Sequence, residues 1–368
     1  MRYVAAARVE PLPAPRSASW ARSLRKLFFG SFGSALTTAL LVLACGRLAW
    51  ALYVWGIRDA VFSAAGAPLT CRAAQAGACW AVIGEKLRLI LFGAYPYAQQ
   101  WRPAIAVLLL VAMYALSVQP RLWNWRLAVA WPLALGAFAL LMFGGMLGLP
   151  AVSDDQWGGL PVTLILATLG LVMGFALAVP MALARHAPGG GIVKALVVAY
   201  VELVRAVPLL AVLFLASVMI PLFLPQGMDV SKLLRVIVAF ALCTAAYLAE
   251  VVRGGLMAVP RGQREAAAAL GLTSYVTTTR IVLPQALTHV LPALVNVFIG
   301  FFKATSIVVV VGIFDLMTAA KRAAADAQWE GFGTEIYLFV ALIYFAFCAA
   351  MSWYSARLQA RRDPGRHR

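Results

Sequence analysis

Apolar residues run along this chain in long unbroken blocks, and polar residues gather in the short stretches between them. A helix rising 1.5 Å per residue needs about 17–25 apolar residues to cross about 30 Å of hydrocarbon, and blocks of about that length recur from end to end. They predict eight spans: Ala35–Trp55, Pro103–Val118, Leu127–Leu149, Leu160–Leu183, Val197–Leu224, Val236–Val252, Val290–Phe314 and Ile336–Tyr354. Spanning strands would alternate apolar and polar positions and close into a barrel, a pattern that continuous runs do not carry. The expected fold is therefore all-α, a polytopic helical bundle in a lipid bilayer.

Composition agrees: 63% of the 368 residues are hydrophobic and 12% charged, against about 25% charged in soluble domains. The net charge of +17 is a topology signal rather than a nucleic-acid footprint, since no basic and aromatic groove motif accompanies it. With the amino terminus inside, the inner segments hold 19 Lys and Arg and the outer segments 9, so both termini are expected in the cytoplasm. Arg361, Arg362, Arg366 and Arg368 anchor the tail, and the basic segment 1–34 precedes an uncleaved first span. Within the outer segment 56–102, Trp80–Phe92 reads as an amphipathic helix lying at the interface, because Glu85, Lys86 and Arg88 interrupt it. The polar stretch Ser153-Asp154-Asp155-Gln156 divides an accessory region, 35–153, from a core of five spans, 154–356, followed by the tail 357–368.

Few chemistries are on offer. His186, His289 and His367 lie far apart, no Cys, His or carboxylate cluster has metal-ligand spacing, and no glycine-rich loop ends in Gly-Lys-Ser or Gly-Lys-Thr. No catalytic, metal or cofactor site is expected. Cys45, Cys243 and Cys348 fall inside spans as small apolar groups. Cys71 and Cys79 share the outer segment and either close a disulfide in an oxidising compartment or stay free; the spacing leaves both open.

The segment 260–286, between the sixth and seventh spans, is long and rich in helix formers. Gln263 to Leu270 is expected to form a short helix, Gly271 to end it in the left-handed conformation, and Thr273 or Ser274 to cap the next. Glu265 offers a charge on an alanine surface that another backbone can approach closely. The order Glu265-Ala266-Ala267, three residues, Gly271, nine residues, Ile281, one residue, Leu283-Pro284 resembles the hallmark coupling loop of ABC importer permeases. Tyr200 to Arg205, Pro208-Leu209-Leu210, Ala249 to Leu256, Leu294-Val295-Asn296 and Phe301 to Ser306 are similar to the polar amino-acid uptake permeases. The three extra spans resemble the larger permease of bacterial general L-amino-acid transporters.

That resemblance implies a type I importer core in the last five spans and residence in the bacterial inner membrane. It also implies an ATP-binding subunit gripping the coupling loop, a second and related permease chain, and a periplasmic amino-acid-binding protein. ATP would be held by the partner, not by this chain. Ala304 stands where that family usually has a polar or acidic residue, which leaves substrate range open. Lys303, a charge in the seventh span, either receives a substrate carboxylate with Thr305 and Ser306 or forms a buried ion pair that orients helices. Glu202 with Arg205, and Glu250 with Arg253, are spaced to pair along their helices as structural braces. The competing expectation is a secondary transporter that works alone, which the scarcity of intramembrane acids disfavours.

Overall fold

The computed structural model describes residues 20–63, 67–73, 76–187, 189–223, 225, 227 and 230–362. Outside them lie residues 1–19 of the basic leader, Leu224 at the end of the fifth expected span, and His367, Arg366 and Arg368 of the tail. Among the described residues the regular structure is helical, with two isolated bridge pairs, Val61 with Cys79 and Gly159 with Asp315. Seven of the helices are long and apolar enough to cross a membrane, and a bent pair supplies an eighth. The chain is an all-α polytopic bundle.

It divides into two compact units at Cys79. In the first, helix α1 (Phe32–Tyr53) begins at a capping box, Ser31 and Ser34 exchanging side chain to backbone hydrogen bonds of 3.1 and 2.9 Å. No residue of α1 is buried within the chain, and Arg47 is exposed on it. Beyond α1 the chain folds back. The Gly77 N–H donates to Asp59 O at 2.7 Å and the Ala78 N–H to Trp55 O at 2.6 Å. A Cβ at Gly77 would sit 2.3 Å from Trp55 O, so only glycine permits this approach. The fold-back is accompanied by a disulfide between Cys71 and Cys79, with Cα atoms 5.6 Å apart and both residues buried.

The second unit runs from Trp80 onward. Helix α2 (Ala81–Phe92) buries Ala81, Val82 and Ile90, and its Lys86 donates to Asp326 at 2.7 Å. Helices α3 (Trp101–Ser117) and α4 (Trp125–Phe143) form a hairpin whose Tyr114 bonds Thr168 of α5 (Leu160–His186). Arg102, expected in the outer segment, is wholly buried inside α3. Its Nε donates to Leu141 O at 2.7 Å and its Nη1 to Pro150 O at 2.9 Å, a cation set against the carbonyls at the end of α4. The third span, expected to reach Leu149, ends at Phe143. Gly144 (φ +66°) and Gly145 (φ +75°) reverse the chain there, and a Cβ at Gly144 would lie 2.2 Å from Pro150 O.

The fifth expected span is broken. Helix α6 (Ile192–Ala206) and helix α7 (Leu209–Phe223) meet at 103°. Proline at 208 drives Val207 out of the helical region, to φ −91° and ψ 133°, and Pro208 itself is extended at ψ 134°.

The core contact is between α5 and α8 (Lys232–Ala258). Gly170 faces Phe240, and a Cβ on Gly174 would lie 2.7 Å from Thr244 Cβ and 3.0 Å from Ala241 O, so the two backbones meet almost directly. Helix α11 (Leu291–Ala304) continues as a tighter 3-10 segment to Val311 and ends at Gly312 (φ +73°). Asp315, wholly buried, then caps α12 (Leu316–Ala324) by accepting from the Thr318 and Met317 N–H groups at 2.9 and 3.1 Å. Burial raises its carboxyl above the usual range, while the hydrogen bonds from Thr318 and Met317 pull the other way. The last crossing is α13 (Gly333–Arg362).

Gly174→Val should force α5 and α8 apart and cost about 1–3 kcal/mol. A fall in melting temperature of the detergent-solubilised protein, compared with Gly84→Val where a Cβ meets nothing within 4 Å, checks it.

The Lys86 hydrogen bond, reinforced by the Gln328 N–H, holds the Asp326 carboxyl below its usual value of 3.8. Because the folded value is lowered, the pair contributes fully above that usual value and is lost as pH falls through the depressed one; being half-exposed, it is worth at most about 1 kcal/mol. Hydrogen exchange over residues 81–92, corrected for intrinsic rate, should keep its protection down to mildly acid pH and lose part of it below. Lys86→Met should show the lower protection at every pH.

Candidate coupling site

Helix α8 stops because Val259 and Pro260 are extended, at ψ 124° and 139°, and the chain turns out of the bundle. It forms α9 (Arg261–Ala269), in which only Ala267 is buried. Its end is closed by two crossed bonds, the Leu272 N–H to Ala267 O at 3.1 Å and the Gly271 N–H to Ala268 O at 2.9 Å, with Gly271 at φ +71°. This is the Schellman arrangement that the glycine predicted. Thr273 caps the next helical turn by accepting from the Val276 N–H at 3.3 Å, and a π-helical turn, Thr277–Val282, leads into α10 (Leu283–His289).

The residues singled out in the loop divide by environment. Glu265, Ala266, Gly271 and Pro284 are exposed, Ile281 and Leu283 are half-buried, and Ala267 is the anchor at 2% exposure. Beside Glu265 the sequence reading missed three exposed apolar side chains, Leu270 (78%), Tyr275 (77%) and Leu272 (38%). The loop thus exposes one acid together with small and large apolar side chains.

Two hydrogen bonds tie this helix to the bundle. Arg264 donates to His186 Nε2 at the end of α5. Gln285 Nε2 on α10 donates to Gln263 Oε1 at 3.4 Å. Gly255 lets α10 touch α8, since a Cβ there would lie 2.7 Å from Ala286 O. A displacement of α9 therefore acts on α5 and α10 directly.

Just inside lies an ionic network that differs from the two expected pairs. Glu250 does pair with Arg253, whose Nε sits 3.2 Å from both carboxylate oxygens. Glu202, however, bonds Arg185 at 3.0 Å, while Arg205 lies 3.9 Å from Glu250. Arg185, only 10% exposed and unnoticed in the sequence, also reaches Glu250 at 3.1 Å. One step along a helix offered Arg205 to Glu202, but α5 brings a guanidinium from 17 residues earlier into better reach. The five residues brace α5, α6 and α8 together.

The other candidate residues do not form one site. Lys303 is exposed on α11 in line with Ala293, Asn296 and Gly300. Ser306 donates back to Lys303 O at 2.8 Å. Thr305 is wholly buried, donates to Phe302 O at 2.8 Å and meets Tyr344 Oη at 3.3 Å, so its side chain faces the interior of this chain and not the Lys303 stripe. No group of three or more His, Cys, Asp or Glu side chains suited to a metal occurs among the described residues.

The fold is thus a polytopic helical bundle with a short, exposed helix between two crossings. The chain belongs to the binding-protein-dependent transport system inner membrane component family, whose model matches residues 170–364. It is 40% identical over 367 residues to the inner membrane amino-acid ABC transporter permease protein YhdY of Escherichia coli K12, covering 97% of each chain. It is 34% identical over 434 aligned positions to the glutamate/glutamine/aspartate/asparagine transport system permease protein BztC of Rhodobacter capsulatus, covering 98% of each. A solved structure described as an amino acid ABC transporter with histidines is 33% identical over 55% of this chain and 92% of that one, with a TM-score of 0.49. The protein is thus a multi-pass inner membrane translocation subunit.

If Arg185 is shared between Glu202 and Glu250, Arg185→Met should destabilise the protein by about 1–3 kcal/mol. Adding Glu202→Gln should then cost less than it does alone, because its partner is already gone. Melting temperatures of the two single variants and the double variant check this, and strict additivity would refute the shared contact.

Proposed function

We propose that this chain is the permease subunit of an ATP-driven importer of L-amino acids, and that α9 is where it receives the force. The observation that carries this reading is the projecting α9, with Glu265 and Leu270 exposed, its end locked by Gly271, and its other side bonded to α5 and α10. A partner ATP-binding subunit closing on that surface pushes the helix, and the Arg264–His186 and Gln263–Gln285 contacts pass the displacement to the crossings. Amino acids as cargo are supported by the names of the two full-length relatives. The pathway lies along the exposed stripe of α11 that carries Lys303, facing a second, related permease chain, and a periplasmic binding protein delivers the cargo. Both termini lie in the cytoplasm, on the side of α9, in line with the distribution of Lys and Arg. A secondary transporter working alone finds no support in the family to which the chain belongs.

Glu265→Lys should abolish co-purification of the ATP-binding subunit in mild detergent, or leave hydrolysis that no longer drives uptake, while the variant still folds because Glu265 is exposed. Undiminished binding-protein-dependent uptake into vesicles by that variant would falsify the role given to α9.

A further inference from the structure

At the end of α5 remote from α9, a cavity of about 280 Å³ opens among the segment preceding α5, the start of α8 and the turn after α11. Its lining includes Asp154, Asp155, Trp157, Lys232, Gly312 and Phe314. Four features set it apart from an ordinary surface dimple. Asp154 and Asp155 have no ion-pair partner among the described residues, and neither has Lys232. The Lys232 ammonium lies where a Cβ on Gly312 would come within 3.1 Å, so the missing side chain leaves it room. Trp157 is 4% exposed and its indole Nε1 has no hydrogen-bond partner, an uncommon state for a buried donor. Its ring is held in place by Phe143, 4.4 Å away between centroids, and edge-on by Phe138 at 6.3 Å.

Two unpaired carboxylates and one unpaired ammonium around a single small cavity are complementary to a molecule that carries both charges itself. We infer that this cavity receives the zwitterionic backbone of a free α-amino acid. The ligand's ammonium faces Asp154 and Asp155, and its carboxylate faces Lys232. The volume lies just under the range of about 300–1,000 Å³ usual for drug-sized ligands, which suits a small metabolite better than a protein loop. The location fits the cargo: α5 separates the cavity from α9 by about 40 Å of helix, so if α9 is cytoplasmic the cavity opens on the face where substrate arrives. The inference rests on the amino-acid import proposed above and adds to it an outer station on this chain.

The test uses the assembled transporter, with its partner permease and ATP-binding subunit, in lipid nanodiscs without binding protein or nucleotide. A radiolabelled mixture of L-amino acids is the probe, with L-alanine, N-acetyl-L-alanine and L-alaninamide as competitors. Binding should be displaced by L-alanine and not by either blocked analogue. Asp155→Asn and Lys232→Met should each weaken it about tenfold or more. Affinity unchanged in both variants, or equal competition by N-acetyl-L-alanine, overturns the inference. So do variants that bind the probe normally but lose affinity for the binding protein, since the cavity is then a docking socket. Import by the parent complex with its binding protein is measured alongside. Failure of import sinks the transport reading, whereas import without this binding signal sinks the outer station alone.

Discussion

The close contact of α5 and α8 is the constraint on which the rest depends. Gly170 and Gly174 remove the side chains that would hold two helices 8–10 Å apart, and Phe240 and Thr244 fill the space left. In a bilayer, apolar helices gain nothing from avoiding water, so association relies on van der Waals contact and on backbones able to approach. Because both helices are long and fixed against each other along their length, whatever attaches to their ends is fixed as well. At one end that is α9 with Arg264 on His186; at the other it is the rim carrying Asp154 and Lys232.

The braces around Glu250 add position more than stability. Arg185, Glu202, Arg205 and Arg253 surround it with more positive than negative charge, and several members are open to solvent. Such groups contribute modestly as single pairs, yet they specify which turn of α6 faces which turn of α5 and α8. The network lies between the helix ends that carry α9 and the tightly packed core.

Most of the architecture was legible in the chain because a span announces itself by length and continuity, signals that need no tertiary context. Its ends were less so. Gly144 and Gly145 end α4 six residues early, within a run still apolar enough to read as membrane, and Pro208 breaks an equally apolar block. The loop after α8 was legible because alanine, glutamate and a closing glycine act locally, and α9 is a local structure. Arg185 and Arg264 were not, since their partners are Glu250 and His186, each on another helix and separated by tens of residues. The inward direction of Thr305 was not legible either, because proximity to Lys303 in sequence says nothing about facing where α11 tightens into a 3-10 segment.

The break at Pro208 leaves a crossing that is too short. Residues Leu209–Phe223 amount to about 22 Å of helix, against about 30 Å of hydrocarbon, and α6 turns aside at 103° instead of making up the difference. A helix this short is matched to the bilayer by thinner lipid, by flanking side chains that snorkel or by a neighbouring chain, at a cost of fractions of a kcal/mol per Å of mismatch.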